Sequence, residues 1–128
     1  MLSRIGDLGY GESRLRFQQL RADREVFALC QVVAEEMSVC LTKMLRRSRG
    51  FGRATKARQI AIYLAHVLLS RPQHDIAEMF GRDRTTVAHA TQAVEDRRDD
   101  PRVERLIERI EHRFERVRTR TRRSGNVA

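Results

Sequence analysis

Apolar side chains recur at intervals of three and four in four separate stretches of this sequence, and that period limits its fold more than any other feature. Val26, Phe27, Cys30, Val33 and Met37 form one stripe, and Ile60, Leu64, Val67 and Leu68 a second. Ile76, Met79 and Phe80 make a third; Val103, Leu106, Ile107, Ile110, Phe114 and Val117 make a fourth. Positions three and four apart share one face of an α-helix, whereas a strand would place its core residues two apart. Composition agrees, since aromatic residues are only 5% and there are 7 Gly and 2 Pro, little material for sheets and few breaks between helices. The expected fold is an all-α helical bundle. At 128 residues the chain can enclose one core but not a second large one.

Charge narrows the partner. The 26 Lys+Arg against 17 Asp+Glu leave a net +9, and all but two of the cations are Arg, so a polyanion is expected. The longest apolar run, IAIYLAHVLL at 60–69, is too short to cross a bilayer and contains a histidine. Nucleic acid is therefore preferred to a membrane. The opening MLSRIGDLGYGESR has charges and glycines where a secretory leader needs an apolar core, so a cytoplasmic, nucleoid-associated location is expected. Cys30 and Cys40, ten apart, match no metal-ligand or redox spacing and are read as core thiols.

Three regions are expected along the chain: a mobile arm at 1–22 with a helix from Glu12 to Leu20, a DNA-binding domain at 23–117, and a basic disordered tail at 118–128. Within the domain, a short helix through Leu41, Met44 and Leu45 follows the first stripe. The stretch KMLRRSRGFGRATKAR at 43–58 then holds seven cations (Lys43, Arg46, Arg47, Arg49, Arg53, Lys56, Arg58) and no acid. Its two glycines suggest a flexible basic loop, with Thr55 capping the long helix that Pro72 ends. HDIAEMF at 74–80 forms a further helix, Gly81 leaves it in the left-handed conformation, and Asp83 or Thr85 caps a helix running to about Arg98.

Two helices joined by a short glycine-containing turn make a helix-turn-helix unit, whose second helix presents its first residues to the major groove. GRDRTTVAHA at 81–90 fits that position. Arginine can pair with guanine, aspartate can accept from the cytosine amino group, and threonine can bond a base or touch the thymine methyl. Arg82, Asp83, Arg84, Thr85 and Thr86 supply all three types; the alternative is that Asp83 and the threonines only cap the helix. His66, His74, His89 and His112 are scattered, with no nucleophile or carboxylate arranged around them. Neither an enzyme nor a metal, cofactor or small-molecule substrate is expected.

These blocks resemble a known family. From about Glu25 to Glu115 the chain is similar to the C-terminal DNA-binding domain (domain IV) of DnaA, the bacterial replication initiator, whose signature is close to F-G-G-R-D-H-T-T-V-x-H-A. Here FGRDRTTVAHA stands at 80–90, with VAEEMSV at 33–39, RRSR at 46–49 and ARQIAIYLA at 57–65 in the family's order. The resemblance implies a Trp-repressor-like helical fold that binds double-stranded DNA. It implies an arginine in the minor groove at Arg47 or Arg49 and phosphate contacts at Arg58 and Gln59. Base contacts fall on Asp83, Thr85 and Thr86, with Arg82 and His89 at the DNA backbone or in packing. Arg46, Arg53 and Lys56 complete the basic set, and Arg84 stands where the family has histidine.

Nothing in the sequence offers the phosphate-binding loop of an ATPase, so a DNA reader rather than a full initiator is expected. A transcription regulator, an activator in particular, is the first expectation. Domains resembling this one include activators of gene-transfer-agent genes in alphaproteobacteria, where the reader works with a sigma-factor-like partner. RNA polymerase or such a partner could dock on the arm at 1–22 or on the acidic surface of Glu95, Asp96, Asp99, Asp100, Glu104, Glu108 and Glu111; the alternative for those acids is a solvated face paired with nearby arginines. A replication modulator competing for DnaA sites and a non-specific architectural protein are the alternatives.

Overall fold

The computed structural model describes residues 18–46 and 52–127, with side chains up to residue 120. It is all-α: among the described residues there is no strand. The helices are α1 (Arg24–Glu36), α2 (Leu41–Leu45), α3 (Arg53–Val67), α4 (Gln73–Phe80), α5 (Arg84–Arg97) and α6 (Pro101–Val127). Residues 18–22 are helical as well.

The core is one cluster fed by every helix. Val26, Leu29, Cys30 and Val33 of α1 meet Met44 of α2, Ile76 and Phe80 of α4, Val87 and Val94 of α5, and Ile107, Ile110 and Phe114 of α6. At its centre lies α3, which packs against α1, α2, α4 and α5, while α6 packs along α1. Ile60 through Ala65 are all buried. Alanines at 57, 61 and 65 keep one side of α3 narrow, so neighbours can approach it from several directions. Burying a large aliphatic or aromatic side chain stabilises by roughly 1.5–3 kcal/mol, and a dozen such side chains here are almost completely enclosed.

Several expectations change. The long helix starts at Arg53, with Gly52 in extended conformation at its N-cap, so Thr55 lies inside the helix rather than capping it. It ends at Val67, and Pro72 begins α4 instead of ending α3. Val67 is 53% exposed, so this member of the expected stripe lies outside the core. Cys30 is buried but Cys40 is exposed. It precedes α2, whose Lys43 and Thr42 amides lower the thiol pKa. In the expected mobile arm, Leu20 is buried in the core; residues 1–17 lie outside the described residues.

The tail expected to be disordered from 118 continues α6 to Val127. Arg118 supports that continuation, pairing with Glu25 of α1 at 2.7 Å. Arg71 binds the same carboxylate at 3.1 Å and Asp23 at 2.7 Å. Asp23 also caps α1, accepting from the Val26 amide at 3.1 Å. Burial would raise the Asp23 pKa, but the Arg71 guanidinium and the Val26 amide outweigh it and hold the carboxyl below its ordinary value.

Candidate nucleic-acid interface

The turn between α4 and α5 is built by its main chain. Gly81 has φ 62° and ψ 38°, the left-handed conformation in which a Cβ is costly. From there its amide donates to the Glu78 carbonyl at 3.3 Å, and the Arg82 amide donates to Ala77 at 2.9 Å, the paired bonds of a Schellman ending. Two residues later Asp83 accepts from the Thr86 amide at 2.7 Å and starts α5. One glycine and one carboxylate thus close one helix and open the next within three residues.

The start of α5 faces away from the core. Val87, Ala90 and Val94 are buried at three- and four-residue spacing, so the opposite side is forced outward. Asp83, Arg84, Thr85, Thr86 and His89 are exposed, and Thr85 and Thr86 precede His89 by four and three positions, which stacks them on one face. His89 is therefore at the surface. The Asp83 carboxylate already occupies the Thr86 amide of this first turn, as suits the positive end of a helix.

Two further helices hold α5 at its other end. Arg97 donates to the Gln59 side-chain oxygen at 3.0 Å. Arg98 donates to the Tyr63 hydroxyl at 2.9 Å and forms a two-pronged pair with Glu104 at 2.6 and 2.5 Å. The Glu104 carboxylate and Tyr63 raise the Arg98 pKa, and Arg98 in turn holds the Glu104 carboxyl low. Arg97 and Arg98 were not singled out as site residues. In the sequence they look like any other pair in a charged stretch, because their partners on α3 lie 38 and 35 positions away.

The basic residues divide into two groups. Arg46, Arg53 and Lys56 are exposed, the last two on the first turn of α3. Arg58, expected on phosphate, is only 8% exposed and donates through Nη1 to the carbonyls of Met44 and Arg46, both at 3.3 Å. Burial lowers its pKa, but a guanidinium stays charged under any ordinary condition. Gln59 is half-buried and spends its side-chain oxygen on Arg97. Arg82 donates from Nη2 to the Arg46 carbonyl at 2.9 Å. Of the four residues expected on or near the DNA backbone, Arg58, Gln59 and Arg82 therefore have side-chain atoms committed to the protein, and His89 does not. Arg47 and Arg49 lie outside the described residues.

Part of the acidic surface is engaged within the protein. Glu104 is held by Arg98, Asp100 by Arg102 at 3.2 Å, and Asp96 accepts from Gln92 at 2.9 Å. Burial raises the pKa of Glu111, while Asp99 and Glu108 are exposed.

A family model described as the bacterial dnaA protein helix-turn-helix matches residues 28–94, the segment that holds α2, α3 and α4 and most of α1 and α5. The chromosomal replication initiator protein DnaA of Mesorhizobium japonicum is 41% identical over 69 residues, 52% of this chain and 14% of that protein. Its counterpart from Pelobacter propionicus is 35% identical over 92 residues, 70% of this chain and 20% of that protein. The chain thus spans a fifth or less of the length of these curated relatives.

Proposed function

Because the chain belongs to the bacterial DnaA helix-turn-helix family, matched over just over half its length, we propose that it binds double-stranded DNA sequence-specifically as a transcription regulator. The observation that carries this reading is the exposed start of α5, where Asp83, Arg84, Thr85 and Thr86 stand clear of the core on a helix braced at its far end. A rigid helix with polar side chains at its open end is what reading base edges requires. Arg46, tied to the turn before α5 by Arg82, and Arg53 and Lys56, exposed on the first turn of α3, supply cations suited to phosphates that orient the protein without carrying sequence information. No catalysis enters the proposal.

Activation needs a second partner. Asp99 and Glu108 remain exposed after the internal pairs are formed and are the acids we assign to a polymerase or sigma-factor-like contact. Chromatin pull-down of the tagged protein with sequencing tests the role: peaks upstream of a small set of operons are the expected result. A dominant peak over the replication origin would favour the second reading, competition at initiator sites, which the naming of both relatives as replication initiators supports. A flat signal would sink sequence-specific recognition altogether. In vitro, Thr85→Ala should leave stability unchanged and bring cognate binding down towards the level of random DNA.

A further inference from the structure

The main-chain carbonyl of Arg46 accepts from two arginines that belong to different elements. Arg82 reaches it from the turn that precedes α5, at 2.9 Å. Arg58 reaches it from the second turn of α3, at 3.3 Å, and holds the Met44 carbonyl with the same nitrogen. The Met44 and Arg46 carbonyls lie at the end of α2, where the last carbonyls of a helix have no partner within it. Two guanidinium groups therefore satisfy that end, and in doing so they tie α2, α3 and the α4–α5 turn at one point. Arginine suits this task because its donors are fixed in a planar fork and its charge is permanent.

We infer that Arg58 and Arg82 are positioning residues: through the Arg46 carbonyl they fix where the end of α2 and the exposed Arg46 stand relative to the reading end of α5. The inference rests on the DNA-binding reading of the preceding section. It departs from the roles that the resemblance implies for these positions, since phosphate contact would call for accessible guanidinium groups and Arg58 is enclosed. Pairs of carbonyl acceptors do not discriminate among DNA sequences, so the clamp sets geometry and leaves specificity to Asp83 and the threonines.

The test compares Arg82→Gln, Arg58→Gln and their double variant with Lys56→Gln and Arg53→Gln, in the full chain, on cognate and random duplexes over a range of salt. Removing a phosphate contact lowers the slope of log affinity against log salt by about 0.9. Arg82→Gln and Arg58→Gln are expected to keep the wild-type slope while weakening cognate binding by about tenfold, the size typical of coupled side-chain networks. Because both act through one carbonyl, the double variant should lose little more than either single one. Amide hydrogen exchange of the free protein supplies a readout that needs no DNA. Arg82→Gln should speed exchange at residues 44–46, which a mere phosphate ligand would leave unaltered.

A slope reduced by about 0.9 in Arg82→Gln, additive losses in the double variant, or unchanged exchange at 44–46 would each overturn the clamp. Arg58→Gln removes a buried group, and if it fails to fold, the slope and exchange of Arg82→Gln decide alone. If Lys56→Gln, Arg53→Gln and Thr85→Ala all leave DNA binding untouched, the proposed function fails, whereas the clamp is still judged by exchange.

Discussion

Under the proposed function, Asp83 has two uses for one carboxylate. It caps α5 through the Thr86 amide at 2.7 Å, and it is exposed at the position from which a base amino group can be met. The two uses separate experimentally. Asp83→Asn keeps a capping oxygen and should preserve the melting temperature, whereas Asp83→Ala should lose about 1 kcal/mol in denaturant unfolding; both should alter base preference. At Gly81 the requirement is purely conformational, and Gly81→Ala should cost about 1–2 kcal/mol with base preference retained. Both residues were legible in the sequence because their signals are local: a glycine after an apolar stripe and a carboxylate three positions before a threonine amide. Arg58 and Arg82 were legible only as cations. Their acceptors are main-chain carbonyls 12, 14 and 36 positions away, and a carbonyl has no letter in the sequence.

Among the elements, α1 and α6 follow their apolar periods closely and α3 does not. A stripe of Ile60, Leu64, Val67 and Leu68 describes a helix that faces one neighbour. The helix instead lies among four, so Ala61, Ile62, Tyr63 and Ala65 are buried too and Val67 is the one exposed. Periodicity reports the faces of a helix that has an outside, and the middle of α3 has none. The basic stretch misled for a related reason. Its sequence runs unbroken from Lys43 to Arg58, yet Lys43 belongs to α2 and residues from 53 onward to α3. The exposed cations of that first turn carry a sharp expectation: Arg53→Gln and Lys56→Gln should each lower the salt slope of binding by about 0.9 on cognate and random duplexes alike.

For the whole molecule, the charge balance and the carboxylate–arginine pairs act in different ranges of pH. The excess of arginine keeps the chain cationic throughout the physiological range and sets the attraction to a polyanion. The pairs set its acid limit. Asp23, beside Arg71, and Glu104, beside Arg98, both have folded pKa values below their ordinary ones. Their stabilising contribution is therefore complete above the unfolded carboxylate range, about 4, and is lost as pH falls through the lower folded values. Glu111, with its raised pKa, acts in the opposite sense and favours folding at low pH. Thermal melts should hold steady from neutral pH to about 5 and fall below about 4. Asp23→Asn should flatten that fall; an unchanged acid limit in this variant would remove Asp23 from the account.

The pairing of α1 with α6 joins parts of the chain that are far apart in sequence: Arg113 meets Glu35 and Glu36 across 78 and 77 positions. Bringing such distant segments together costs on the order of 4 kcal/mol of closure entropy, whereas α3, α4 and α5 follow one another and find their partners through short connections. Folding should accordingly begin in the reading unit and finish when α6 docks on α1. The reverse order should govern opening, so the first part of this protein to come undone is the strap that lies farthest from its reading helix in the order of assembly.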